Sequence, residues 1–241
     1  MNVERVFFPD FLSSVETTAR VCTDTDNKGG IEFAKKMWGL GHGTPFEHNT
    51  FRLKTKGSIQ VLIKSCESLG VYQPGLRTLP GGFVGGSFRT LSALNPLKDH
   101  SFDELLSSIE WVDPLEDDAR VTFKIETNIG VARQLLRHRE FSFTERSTRY
   151  VKKFEIDETP SSLRKEVKVI AMQGIKEYQH LKDNGATRDE AREVLPLCTS
   201  TTFYMTGWRS SYDHFVKLRT EKHAHKGARM VGEAIKGLLG L

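Results

Sequence analysis

Cysteine is scarce in this chain, and the three it has, Cys22, Cys66 and Cys198, lie far apart with no CxxC pair among them. That argues against a disulfide framework and against a zinc site, and it suits a reducing, cytoplasmic setting. No apolar run approaches the roughly 20 residues that a membrane-crossing helix needs. The opening residues, MNVERVFFPDF, lack the basic-then-apolar pattern of a signal peptide, so no secretory leader is expected. No GxGxxG precedes a helix, and the glycines of LPGGFVGGSF read instead as a flexible loop. Internal repeats and low-complexity segments are missing too. The excess of one sign of charge over the other is also small. The net +4 fits phosphorylated ligands but is too small to argue for nucleic acid by itself.

What is there suits a globular domain: 241 residues, 38% hydrophobic and 27% charged, enough for one large unit or two small ones. Arg5 to Phe8 reads as a short strand and Ser13 to Val21 as a helix. Asp26 can cap a second helix through about Trp38, ended by Gly39 and Gly41. GHGTPFEH follows as a loop, and Asn49 to Thr55 and Arg120 to Glu126 alternate like strands. The stretch between those strands shows no pattern large enough for an independent domain. It reads as an insertion at about 55–119 within a single domain spanning 1–241, with a helix at FDELLSSIEW.

Farther on, Thr159-Pro160 opens a helix in the favoured manner, running to about Asn184 with Gly185 as its stop. Thr187 and Glu190 form a capping box at the head of AREVLP, and Pro196 interrupts the chain. Much of Thr202 to Leu239 reads as helix. The expected class is α+β, with helices packed on a small mixed or antiparallel sheet.

The densest chemistry lies in RHREFSFTERSTRY, residues 137–150, with four arginines, a histidine and two glutamates. On a helix, VARQLLRHR gathers Val131, Ala132, Leu135 and Leu136 on one face. Arg133, Gln134, Arg137 and His138 cover the other face, where Gln134 and His138 can address one ligand. Either the helix ends at Arg139, or that guanidinium turns toward the core and needs an anionic partner. Glu145, Ser147 and Arg149 follow at spacing two, which an extended segment would place on one side. Arginine forks match phosphate, and Ser and Glu add directional hydrogen bonds. Three readings stand side by side: a solvated face with local ion pairs, a nucleic-acid patch, or a nucleotide pocket.

Arg137-His138-Arg139, seven residues, then Ser147 reproduces the RHRx7S signature of flavin-dependent thymidylate synthases. TARVC (18–22), GHGTPFEH (41–48), VARQLLRHR (131–139), ERSTRY (145–150), AREVLP (191–196) and HFVKLR (214–219) resemble the same family in the same order. The resemblance implies the α+β fold of the thymidylate synthase-complementing proteins. It also implies homotetramers with active sites at subunit interfaces. The implied reaction is the methylation of dUMP at C5 to dTMP. 5,10-Methylenetetrahydrofolate gives the carbon, FAD reduced by NADPH gives the hydride, and no cysteine attacks the uracil. Neither nucleic acid nor membrane enters this reading as a partner.

By the same resemblance, Gln134, Arg137, Glu145, Ser147, Thr148, Arg149, Arg192 and Arg219 match dUMP-binding positions. Arg219 matches the position that stabilises negative charge on the uracil and is the expected catalytic residue. Cys22, His42, Thr44, Glu47, Arg137, His138, Arg139, Glu145 and His214 match positions around FAD, with His42, Thr44 and Glu47 coming from another subunit. Trp208 stands where the family commonly has a flavin-contacting asparagine. Thr144 and His225 replace amide residues common in the family, and no metal is implied. His48, His223 and His225 are expected to be structural.

Overall fold

A computed structural model describes residues 1–23, 25, 29–55, 63, 75–94, 97, 99–117, 119–151, 153–158 and 163–241. In chain order its elements begin with strand β1 (Asn2–Val6) and helices α1 (Phe11–Val21) and α2 (Gly30–Gly39). A 3-10 turn (Thr44–Glu47) leads into β2 (Phe51–Lys54), β3 (Arg77–Leu79) and β4 (Phe83–Gly86). Helices α3 (Phe88–Ser92) and α4 (Phe102–Ser108) precede β5 (Glu110–Trp111) and β6 (Arg120–Asn128). Then come α5 (Ile129–Leu135), β7 (Ser142–Glu145), α6 (Lys165–Asp183) and α7 (Arg188–Ala191). β8 (Ser200–Trp208), α8 (Arg209–Arg219) and α9 (Lys226–Leu239) complete the chain.

The strands form two antiparallel sheets, one in the order β1-β6-β8-β7 and the other β3-β4-β2-β5. β6 and β8 are the spine of the first sheet, in register from Arg120 opposite Trp208 to Asn128 opposite Ser200. One face of that sheet carries Val121, Phe123, Ile125, Phe203 and Met205, and α5, α8 and α9 pack on it through Leu135, Tyr212, Phe215, Val231 and Ile235. Each such side chain contributes about 1.5–3 kcal/mol by leaving water. Tyr212 is fully buried, and its hydroxyl donates to the carbonyls of Val121 and Met205, both at 3.1 Å. Its polar end is therefore satisfied within the core.

The second sheet has a core of its own, rich in aromatic rings. Phe11, Phe46, Phe51, Phe88 and Phe102 meet there, with Trp38 packed against them. Phe11 belongs to α1 and Phe46 to the 3-10 turn, so the 55–119 segment shares a core with the residues before it. Its described part is thus built into the molecule rather than laid over the surface.

Several expectations are corrected by the fold. Residues 200–208 form the central strand β8, not the start of a long helix. They are buried on both faces, so the period-two alternation that marks a strand is lost. The glycines of LPGGFVGGSF lie largely in the β3–β4 hairpin rather than in a flexible loop. A Cβ at Gly85 would meet Leu79 Cδ1 at 2.7 Å, so close packing requires glycine there. α5 ends at Leu135, before Arg137, His138 and Arg139, and both arginines are exposed. The Thr159-Pro160 helix start, the Asp26 cap and Cys66 lie outside the described residues. Leu163 and Arg164 are not helical, however, and α6 begins at Lys165. The Thr187–Glu190 capping box is present as read.

Candidate active site

Three distant segments enclose a cavity of about 530 Å³. The end of α1 brings Ala19, Cys22 and Thr23, and α2 brings Met37. The turn after α2 brings His42, Thr44 and Pro45, and β7 with the residues following it brings Phe143, Thr144, Glu145, Ser147 and Tyr150. Five of the expected residues, Cys22, His42, Thr44, Glu145 and Ser147, therefore line one space.

Glu145 is mostly buried and accepts a hydrogen bond from Thr201 Oγ1 at 2.9 Å. Burial pushes its carboxyl pKa up, against the Thr201 hydrogen bond and the charge of Arg133, which pull it down. The Cys22 thiol donates to the Glu145 carbonyl at 3.4 Å. Burial, then the Glu145 charge, raise the thiol pKa, the opposite of what a thiolate nucleophile requires. Ser147 closes the connection from the far side, its N–H donating to the Cys22 carbonyl at 3.2 Å.

The turn is bolted to the first sheet and to α3. Buried His48 stands between two hydroxyls, Thr206 Oγ1 at 2.7 Å from Nδ1 and Thr144 Oγ1 at 2.8 Å from Nε2. Thr206 continues to Thr122 at 2.8 Å. Burial, reinforced by the charge of Arg120, brings the His48 pKa down to about 3, so the ring is neutral in the fold. Arg120 itself is buried and donates to the Glu47 carbonyl at 2.6 Å and to Ser142 Oγ at 2.9 Å. Asn49 Oδ1 accepts from the Phe88 N–H at 2.8 Å, joining this turn to α3.

The other expected residues lie outside the cavity lining. Arg219, at the end of α8, donates from Nε to His138 Nε2 at 2.7 Å and from Nη2 to the Gln134 carbonyl at 2.6 Å. Accepting at Nε2 requires a neutral imidazole. Burial, with the charges of Arg219 and His214, lowers the His138 pKa to about 4 and secures that form. Burial, then Arg137, lower the pKa of Arg219 from the usual guanidinium value. His214 is exposed on α8. Glu47 pairs with Arg89 of α3, and both line a second cavity, of about 370 Å³, with Arg139.

Arg149 and Arg192 form a third group on the Asp189 carboxylate, at 3.0 and 3.4 Å. Here another expectation is corrected. β7 stops at Glu145 and residues 148–150 form a turn, so Arg149 leaves the line on which Glu145 and Ser147 lie, and half-buried Thr148 leaves with it. Trp208 is buried apart from all of these, with the Arg77 guanidinium 5.1 Å from its ring. Tyr150, Met37 and Phe143 line the cavity without having been singled out. Tyr150 closes the ERSTRY motif, whereas nothing in sequence marked Met37.

A profile of the thymidylate synthase complementing protein family matches residues 102–239. The chain belongs to that family. A flavin-dependent thymidylate synthase of Aquifex aeolicus is 32% identical over 181 residues, covering 62% of this chain and 57% of that protein. A probable flavin-dependent thymidylate synthase of Paramecium bursaria Chlorella virus 1 is 30% identical over 126 residues, 43% of this chain and 58% of its own. A flavin-dependent thymidylate synthase of Thermotoga neapolitana is 34% identical over 115 residues, 43% of this chain and 53% of its own. This family member thus spans between 53% and 58% of the length of these three relatives. No helix among its described residues is long and apolar enough to cross a membrane. No cluster of three or more potential metal ligands occurs among them either.

Proposed function

We propose that this chain is a flavin-dependent thymidylate synthase, a single domain over residues 1–241 that methylates dUMP at C5 to give dTMP in the cytoplasm. The observation that carries the reading is the meeting of Cys22, His42, Thr44, Glu145 and Ser147 around one cavity from segments far apart in sequence. Its lining fits a planar ring that forms hydrogen bonds at its edges. Met37, Pro45 and Phe143 offer apolar surface, while His42, Thr44 and Ser147 offer donors and acceptors. FAD reduced by NADPH supplies the hydride, and 5,10-methylenetetrahydrofolate supplies the carbon.

In this proposal Cys22, His42, Thr44, Glu47, Arg137, His138, Arg139, Glu145, Trp208 and His214 serve the flavin. Glu145 also joins Gln134, Arg137, Ser147, Thr148, Arg149, Arg192 and Arg219 around dUMP. Arg149 and Arg192 already share Asp189, and Arg192 also meets Glu193 at 3.8 Å, so a phosphate would draw both guanidiniums from these exposed carboxylates. Arg219 stays protonated and stabilises negative charge on the uracil without giving up its proton. His138 and the Gln134 carbonyl hold two of its nitrogens, which fixes the direction of the third, Nη1.

A homotetramer completes the site in this reading. Two features support it: Arg219 and His138 lie outside the lining of the cavity, and α6 exposes Val167, Val169, Ile170 and Met172. Exposed apolar surface of that kind suits another copy of the chain. The purified protein should be yellow, change its flavin spectrum on addition of dUMP, and form dTMP with NADPH and methylenetetrahydrofolate. Protein that takes up no flavin, or that reduces flavin with NADPH yet makes no dTMP, would sink the assignment.

A further inference from the structure

The turn at residues 41–48 is held unevenly. Its tail is fixed by Arg120 at the Glu47 carbonyl, by Thr144 and Thr206 at His48, and by Phe88 at Asn49. Its head, which carries His42 and Thr44 into the 530 Å³ cavity, is tied to the end of α2 by backbone bonds to Met37 and Trp38, and to α1 by a 3.4 Å bond from Thr18 Oγ1 to the Pro45 carbonyl. One long side chain reaches both parts. Arg89 of α3 pairs through Nη1 with the Glu47 carboxylate. Its stem lies over Gly43, so closely that a Cβ there would fall 2.7 Å from Arg89 Nε and 2.9 Å from Cζ.

The base of this strap is rigid. Ser87 and Thr90 close a capping box at the start of α3. Phe88 sits in the aromatic core, 5.6 Å from Phe46 and 5.1 Å from Trp38. The side chain that leaves this base is half-exposed, and an ion pair of that kind adds little to global stability. While the ion pair holds its end at Glu47, the stem of the same side chain lies on Gly43 at the head of the turn.

We propose that Arg89, from the segment between residues 55 and 119, is a positioning residue for the cavity. It straps down the Gly41–His48 turn by pairing with Glu47 and covering Gly43. The role of the strap in catalysis rests on the reading of the cavity as the flavin and nucleotide site; its role in holding the turn does not. Gly43 has an ordinary φ of −74°, so alanine is allowed there by the backbone, and its methyl acts only by displacing Arg89.

The test is a double-mutant cycle with Arg89→Ala, Gly43→Ala and the pair together, read in two ways. Amide exchange of residues 41–48 is followed by mass spectrometry in ligand-free protein, and FAD affinity by spectral titration. Either single change should speed exchange in the turn and weaken FAD binding about tenfold, a usual size of coupling between contacting residues. β6 and β8 should exchange as before, and the melting temperature should stay near that of the parent protein. The double variant should be no worse than Arg89→Ala, because the alanine methyl at residue 43 then has nothing to displace. Unchanged exchange in the turn, or effects of the two changes that simply add, would overturn the strap. Parent protein that binds no FAD would remove the functional reading, and the exchange data would still decide the strap.

Discussion

The buried His48 provides a proton-linked measure of how firmly the site is built. Its ring is 1% exposed, hydrogen-bonded to Thr144 and Thr206, faced by the Tyr204 ring at 6.3 Å, and neighboured by the Arg120 guanidinium. Its pKa falls from 6.5 to about 3 on folding. A depressed base favours the fold while neutral, so the stability it supports is complete above pH 6.5. That stability is lost as pH falls, because the unfolded chain takes up a proton the folded one refuses. Between pH 6.5 and pH 5 the difference is 1.5 units, and at about 1.36 kcal/mol per unit the loss is about 2 kcal/mol. His138, with a folded pKa of about 4, acts in the same direction.

The perturbation is His48→Gln, whose amide can both donate and accept between the two hydroxyls. Urea unfolding at fixed protein concentration, from pH 5 to pH 8, measures the effect. The variant should lose about 1–3 kcal/mol at pH 8 through imperfect pairing of buried hydroxyls. More tellingly, the stability gap between pH 8 and pH 5 should shrink by about 2 kcal/mol. An unchanged gap would mean that His48 is not a neutral buried ring and does not bolt the turn to the first sheet.

Two further predictions are quick to check. Arg219→Lys keeps the charge but cannot reproduce donation to both His138 and the Gln134 carbonyl in one plane. Turnover should fall by about 10- to 100-fold, in line with a loss of about 1.5–3 kcal/mol for a charged hydrogen bond from the guanidinium to the uracil, and by more than stability falls; parent-level kcat would take Arg219 out of the chemistry. Cys22→Ser should retain most of its turnover, and Cys22 should resist alkylation at pH 7, because burial keeps the thiol protonated; rapid alkylation or complete loss of turnover would contradict that reading.

How legible was this in the sequence? Local devices read well: the Thr187–Glu190 capping box, the α4 helix and the alternating strand β6 were all visible, since each depends on residues within a few positions. β8 was not, because a strand buried on both faces shows a continuous run and no alternation. The β3–β4 hairpin was missed for a related reason. Gly85 and Gly86 looked like freedom, but what they provide is room for Leu79, Leu76 and the Gly75 carbonyl. In the site, the spacing of Glu145 and Ser147 gave their shared side, and the turn at 148–150 took Arg149 elsewhere. Arg89 carried no local signal at all, since its partners Gly43 and Glu47 lie more than 40 residues earlier.

Trp208 shows how the two sheets depend on each other. It ends β8 opposite Arg120, and its indole reaches across to the second sheet. There a Cβ on Gly85 would stand 3.0 Å from Trp208 Cη2. The Arg77 guanidinium covers the ring at 5.1 Å and donates to Ser210 Oγ at 2.7 Å, just inside α8. A large aromatic at 208 thus fits against a strand without side-chain bulk at 85 and under a cation at 77, and both come from the 55–119 segment. Cation–ring contacts of this kind are worth about 0.5–2 kcal/mol. The departure at 208 and the segment at 55–119, separate oddities along the sequence, are therefore one feature in space. That feature sets the second sheet, and through α3 it sets Arg89 over the turn that carries His42 and Thr44.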